Sequence, residues 1–195
     1  MEQKKRTLLN QSTFFATLFA LAIIGSYLVV NGPGLVLQLQ YATGHLPNSR
    51  PTEAETILEI PKIGVRAPII LAEESQKDNL SPVLLNGIVH YPGTALPGEN
   101  SNGVYIGHSS NYWWQKSDYN NVFALIEKLE TGDPIMIKHQ DTTWTYTVTA
   151  TQTTPKDSRE IFTETDAQAA TLTLVTCWPN GTDFKRLLVK AQLEK

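Results

Sequence analysis

A single cysteine, Cys177, occurs in the 195 residues of the chain. One thiol makes no internal disulfide and no multi-thiolate zinc site, so it is either packing or a reactive group. Free cysteine is among the most buried residue types, which makes packing the default. The surroundings of Cys177 argue for chemistry. It closes the β-branched run 172–176 and is followed by Trp178-Pro179-Asn180-Gly181, where the chain must turn. His108 stands in a similar place, at the end of Val104-Tyr105-Ile106-Gly107 and before the polar turn Ser109-Ser110-Asn111. Side chains at strand mouths, on loops, are where sites are built.

Arg186 completes the set. If the runs either side of a four-residue loop at 180–183 form a hairpin, Pro179 faces Phe184 and Cys177 faces Arg186. Residues directly opposite share a face, so the guanidinium stands beside the thiol. The competing reading is that Arg186 extends along the surface and pairs with Asp183 or Glu194. A thiol, an imidazole and a permanent cation together fit nucleophilic acyl chemistry: attack on a carbonyl, proton movement and stabilisation of an oxyanion. With ordinary pKa values, roughly one molecule in a hundred holds thiolate and imidazolium together at pH 7. Turnover is slow unless the surroundings shift that balance. Of the other histidines, His45 falls in a linker, His139 at a solvated strand end, and His90, beside Tyr91-Pro92, is the main competitor.

Short strands must carry these groups. Residues 143–151 alternate without a slip, with Trp144, Tyr146, Val148 and Ala150 on one side and threonines, among them Thr145, Thr147, Thr149 and Thr151, on the other. Further strands are expected at 56–60, 65–71, 88–89, 103–107, 134–139, 171–177 and 184–192. One helix is expected at 121–130, where Val122, Ile126 and Leu129 recur at helical spacing, and a turn or short helix at 72–79. About eight strands separated by Gly, Pro and Asn clusters point to an all-β closed barrel or sandwich.

The first thirty residues differ in kind. No Asp, Glu, Lys or Arg lies between Arg6 and Arg50, and residues 12–30 form a nineteen-residue, mostly apolar run. At about 1.5 Å rise per residue it reaches roughly 28 Å, a single bilayer crossing. Lys4, Lys5 and Arg6 place the N-terminus in the cytoplasm and the remainder outside. A cleaved signal peptide is the rival, but its small-residue site, Ala20-Leu21-Ala22, sits mid-run. The expected organisation is a cytoplasmic end at 1–11, a transmembrane anchor at 12–30, a linker at 31–55 broken by Asn31-Gly32-Pro33-Gly34, and a domain at 56–195.

Composition narrows the class. Hydrophobic residues are 41% and charged residues 18%, which excludes a disordered chain. Sixteen basic against nineteen acidic residues, net −3, provide no field for a phosphate backbone, so nucleic acid is not an expected partner.

The run Thr173-Leu174-Val175-Thr176-Cys177 followed by Arg186 resembles the signature of sortases, the cysteine transpeptidases of mainly Gram-positive cell surfaces. Ile60-Pro61-Lys62-Ile63-Gly64-Val65 is similar to that family's opening strands. The stretch Gly87 to His90, then Pro97-Gly98-Glu99 and Gly107-His108, resembles the approach to its histidine, and 123–135 its helix-to-strand segment. The resemblance implies an eight-stranded sortase-type β-barrel with one or two short helices after a single transmembrane helix. It implies Cys177 as nucleophile, His108 as general acid toward the leaving amine and Arg186 as the substrate-orienting, oxyanion-stabilising cation. Thr176 and Trp178 become substrate-contacting neighbours of the nucleophile.

The implied partners are surface proteins bearing a C-terminal signal similar to Leu-Pro-x-Thr-Gly, cleaved at the Thr carbonyl through a thioester, and a peptidoglycan precursor amine. Chain order separates this from papain-like proteases, in which cysteine precedes histidine. No cofactor is expected; calcium is a candidate at Glu160, Glu164 and Asp166 in the pocket-shaping loop 153–170, although acidic loop residues are more often merely solvated. The absence of a second apolar span after Val189, and of an acidic-aromatic lid motif before Thr56, departs from the pilin-polymerising class. Trp178-Pro179 looks more like class D or E. Trp113-Trp114 has no counterpart and either covers the site or faces the membrane. The alternative from another class is a membrane-tethered barrel that binds a wall component without chemistry.

Overall fold

The alternating runs pair edge to edge until no edge is left. A computed structural model describes residues 2–44, 56–111, 114–162 and 169–194. Its strands are β1 (Thr56–Ile60), β2 (Val65–Leu71), β3 (Ile88–His90), β4 (Ser101–Ile106), β5 (Pro134–His139), β6 (Thr142–Pro155), β7 (Ala170–Trp178) and β8 (Lys185–Leu193). They close into a barrel in the order β1-β2-β3-β4-β7-β8-β6-β5. All eight expected strands are present, with bounds that differ by a few residues. The β2/β3 and β4/β7 pairs are parallel and the others antiparallel.

Alternate residues along each strand turn inward. Leu58, Ile60, Tyr105, Ile137, Leu172 and Leu174 are buried in the principal core, each aliphatic side chain stabilising the fold by about 1.5–3 kcal/mol. A smaller cluster of Val104, Ile161, Val175 and Leu188 covers the outer face of β4, β7 and β8. Along β6 the alternation holds through Tyr146 and Val148, both buried, and then slips: a bulge between Val148 and Ala150 turns Ala150 outward, against the sequence expectation.

One helical expectation is corrected. Residues 121–130 do not form an α-helix; they form turns and a 3₁₀ segment, Ile126–Lys128. Phe123, Ala124, Leu125 and Ile126 are all buried, and four consecutive buried residues are incompatible with a helix that hides one stripe. The Phe123 amide also donates to the His108 carbonyl at 2.9 Å instead of to its own segment. Within 72–79 the short helical turn is 3₁₀, Glu74–Gln76. One turn of α-helix, α2 (Ser81–Leu84), was not anticipated.

The N-terminal helix, α1 (Glu2–Ala42), runs through the sequence expected to break it, with Pro33 inside. Proline lacks the amide for the i→i−4 bond and crowds the preceding turn, which bends a helix. Thr13–Val29 and Gly32–Ala42 meet at 67°. Beyond the bend Leu37 and Tyr41, within the stretch expected as linker, pack on the barrel core. Among the described residues no single helix is long and apolar enough to cross a membrane; the bent pair passes that test together.

Gly107 shows how tightly the β4 end is packed. A Cβ there would lie 2.5 Å from the Phe123 ring, itself fully buried. Gly107→Ala is expected to cost about 1–3 kcal/mol by overpacking, read as a lower melting temperature; an unchanged melting temperature would show that Phe123 does not brace this strand end.

Candidate active site

The parallel β4/β7 pair carries the site. Ile106 lies opposite Val175, and the ladder continues one step as the Gly107 amide donates to the Val175 carbonyl at 3.1 Å. Both strands run the same way, so the residues that follow, His108 and Cys177, leave the barrel at the same end on strands about 4.8 Å apart. On the other side of β7, Cys177 is paired with Arg186 and Trp178 with Lys185. The register inferred from loop arithmetic is therefore the observed one, and three neighbouring strands present imidazole, thiol and guanidinium. Cys177 and Arg186 share the outer face of Val175 and Leu188.

His108 and Cys177 line one cleft of about 530 Å³, together with Pro82, Ser110, Gln115 and Asp183. The cleft is held by short polar ties. Thr176 is buried and its hydroxyl donates to the Gly107 carbonyl at 2.8 Å. The Gly181 amide donates to Ser110 Oγ at 3.0 Å, and Asn180 Nδ2 to the Ala124 carbonyl at 3.0 Å. These bonds fasten the β7–β8 turn to the loop that follows β4. The Trp178-Pro179 peptide within it is cis.

Burial governs the protonation of both reactive groups. It pushes the His108 imidazole below its ordinary value, because a low-dielectric site disfavours the cation. Burial likewise pushes the Cys177 thiol up; Arg186 opposes that shift, and Asp183 adds to it by charge and by hydrogen bond. Both shifts favour the neutral thiol and the neutral imidazole. His108 Nε2 is buried without a hydrogen-bond partner among the described residues.

Other residues singled out from the sequence fall elsewhere. Thr176 offers no surface to a ligand, since its hydroxyl is spent on Gly107. Trp178, one residue beyond Cys177, takes the opposite face by strand alternation; it packs on the barrel core and borders a second recess with Gly34 and Leu35 of α1. His90 is a core residue, 5% exposed, donating from Nε2 to the Ala95 carbonyl at 2.9 Å. His139 is half-buried with Nδ1 2.7 Å from Thr56 Oγ1, not simply solvated. His45, Trp113, Glu164, Asp166 and the side chain of Glu160 lie outside the described residues. Asp183 was weighed only as a surface partner of Arg186, and it is also a neighbour of the thiol. Its spacing, six residues after the cysteine and three before the arginine, was the available signal.

A closed barrel that presents cysteine, histidine and arginine from three adjoining strands defines a thiol-centred site of one recognisable kind. The chain belongs to the sortase family: the family model for the sortase domain matches residues 58–194. Sortase D of Bacillus subtilis (strain 168) is 32% identical over 127 residues, which is 65% of this chain and 56% of that protein. The chain thus covers little more than half the length of this relative. Among solved structures, the lid mutant of sortase A from Corynebacterium diphtheriae aligns with a TM-score of 0.61 and 26% identity, over 75% of this chain and 73% of its own. The sortase D5 transpeptidase of Clostridium perfringens aligns at 0.59 and 27%, over 81% and 89%.

The Thr176 tie gives a direct test. Thr176→Val is expected to lose about 1–3 kcal/mol of stability, because the hydrogen bond goes and a buried carbonyl is left without it; Thr176→Ser is expected to keep most of it. Equal denaturant midpoints for all three proteins would contradict the tie.

Proposed function

We propose that the chain is a membrane-anchored cysteine transpeptidase that cleaves a Leu-Pro-x-Thr-Gly-like sorting signal and transfers the acyl part to a peptidoglycan amine. The observation that carries this reading is the β4/β7/β8 register, which sets Cys177 between His108 and Arg186. Cys177 Sγ attacks the Thr carbonyl carbon, and Arg186 stabilises the charge gathering on the carbonyl oxygen. The C–N bond to the following glycine breaks as His108 gives its proton to the leaving amine. An incoming amine then attacks the thioester, the C–S bond breaks as its proton passes to His108, and the Cys177 thiolate is released beside the imidazolium; water in place of the amine gives hydrolysis.

The kinship with the sortase D proteins named above supports a class D placement within the class D or E range read from Trp178-Pro179. For the membrane, α1 supplies the argument. Phe14, Phe15, Phe19, Leu21, Ile23 and Ile24 are all more than half exposed, around the whole helix. A helix apolar on every side needs an apolar surrounding. With the limb of α1 before the bend, Thr13–Val29, in the bilayer, the catalytic domain stands outside the cell and the N-terminus inside.

Offered a sorting-signal peptide and an amine, the protein is expected to release the glycine-containing fragment and form the transfer product, followed by mass spectrometry. Cys177→Ala abolishes both. Arg186→Ala lowers kcat by about 10²–10³. Cleavage retained by Cys177→Ala would remove the nucleophile, and product formed only with water would make the chain a hydrolase.

The pH dependence follows from the shifts. The reactive form needs thiolate and imidazolium, the minority pair when the imidazole value is lowered and the thiol value raised. On the acid side rate falls because the thiol stays protonated; on the alkaline side it falls because His108 loses its proton. A broad bell is expected in kcat/KM, with its acid limb below the ordinary imidazole value and its alkaline limb above the ordinary thiol value. A rate that climbs to an alkaline plateau would remove His108 as the acid.

A further inference from the structure

Asp183 touches both members of the charged half of the site. Its Oδ1 accepts a hydrogen bond from Arg186 Nη1 at 2.6 Å and another from Cys177 Sγ at 3.6 Å. One carboxylate oxygen therefore engages the guanidinium at Nη1, which also donates to the Lys185 carbonyl at 3.0 Å, and accepts the hydrogen bond of the thiol. The turn that carries it is fixed at its base, where the Thr182 amide and hydroxyl both donate to the Pro179 carbonyl, at 3.0 and 2.7 Å. The side chain itself is 64% exposed, so it can rotate out of the cleft without disturbing the barrel.

We propose that Asp183 is a carboxylate latch, an internal occupant of the Arg186 position that keeps the empty site unreactive and gives way when the carbonyl of an acyl substrate takes the guanidinium. The latch rests on the reading of Arg186 as the group that meets the substrate carbonyl oxygen. Two consequences follow from elementary electrostatics. With the latch closed, the arginine charge is neutralised at short range and the carboxylate disfavours a second anion on sulfur. With the latch open, the same arginine faces the thiol uncompensated. The groups around the pair are few: Arg186 on β8, His108 after β4, Asp183 on the turn, and Lys156 beyond β6, whose charge reaches Asp183. Lys185 belongs to the opposite face. Asp183 is thus a positioning residue, acting through Arg186 and Cys177 and not on the substrate.

The test is the reactivity of the thiol in the substrate-free protein. A neutral pyridyl disulfide is reacted with the native chain and with Asp183→Asn across the pH range that brackets the thiol titration; Cys177→Ala serves as the blank. The midpoint is expected to move to lower pH in Asp183→Asn. At neutral pH the rate is expected to rise about threefold for each tenfold gain in thiolate, because a less basic thiolate is also a weaker nucleophile. The KM for a sorting-signal peptide is expected to fall, since Arg186 no longer exchanges one partner for another. Melting curves establish that both proteins are folded. A titration curve that Asp183→Asn leaves in place, or moves to higher pH, overturns the latch whether or not the peptide is cleaved. A curve shifted to lower pH in a protein that cleaves no peptide upholds the latch and counts against the transpeptidase reading instead.

Discussion

The parallel pairing of β4 with β7 is the constraint on which the site depends. Antiparallel neighbours would send the ends of these strands to opposite rims of the barrel, leaving His108 and Cys177 a strand length apart. Parallel neighbours in register deliver both to one rim. The pairing is secured at its last step by side-chain as well as main-chain bonds: the Thr176 hydroxyl on the Gly107 carbonyl, and the Gly107 amide on Val175. Phe123, wedged under Gly107 and bonded to the His108 carbonyl, closes the same corner from inside. These contacts explain why a small residue must precede the histidine and a hydroxyl residue the cysteine. The β7–β8 hairpin then adds the cation at no further topological cost, as the strand that returns from the turn must lie beside β7.

Charge in this corner is balanced toward inactivity. Burial disfavours both the thiolate and the imidazolium and so favours the neutral pair. The Arg186 cation pulls the other way, and the Asp183 carboxylate cancels much of that pull. A partly exposed thiol is open to oxidation and to adventitious electrophiles, and a neutral thiol reacts slowly with both. The arrangement keeps the sulfur quiet until a substrate rearranges the charges around it.

Much of this was legible in the chain because period-two alternation and hairpin pairing are local rules. The strands from Thr56 to Leu193 and the Cys177–Arg186 pairing came from spacing alone. The chemistry of the trio was specific only once its spacing matched a known family. What the spacing misread was decided by distant parts of the fold. The helical period at 121–130 yielded to a core that needed four consecutive residues and to the His108 carbonyl. Ala150 was turned outward by a bulge that no periodicity announces. Trp178, adjacent to Cys177 in sequence, faces α1 because adjacent residues on a strand cannot share a face. The double contact of Asp183 depends on the path of a six-residue turn pinned to Ser110 and Ala124, loops far away in the chain.

The most direct measurement is a crystal structure of the protein with a sorting-signal peptide mimic joined to Cys177 through a disulfide at the position of the Thr carbonyl. The account places the His108 imidazole on one side of that linkage and the Arg186 guanidinium on the other, both within contact distance of the linked residue, on the outer face of β7. A linked peptide that touches neither group, or that leaves them on opposite faces of the barrel, would contradict it.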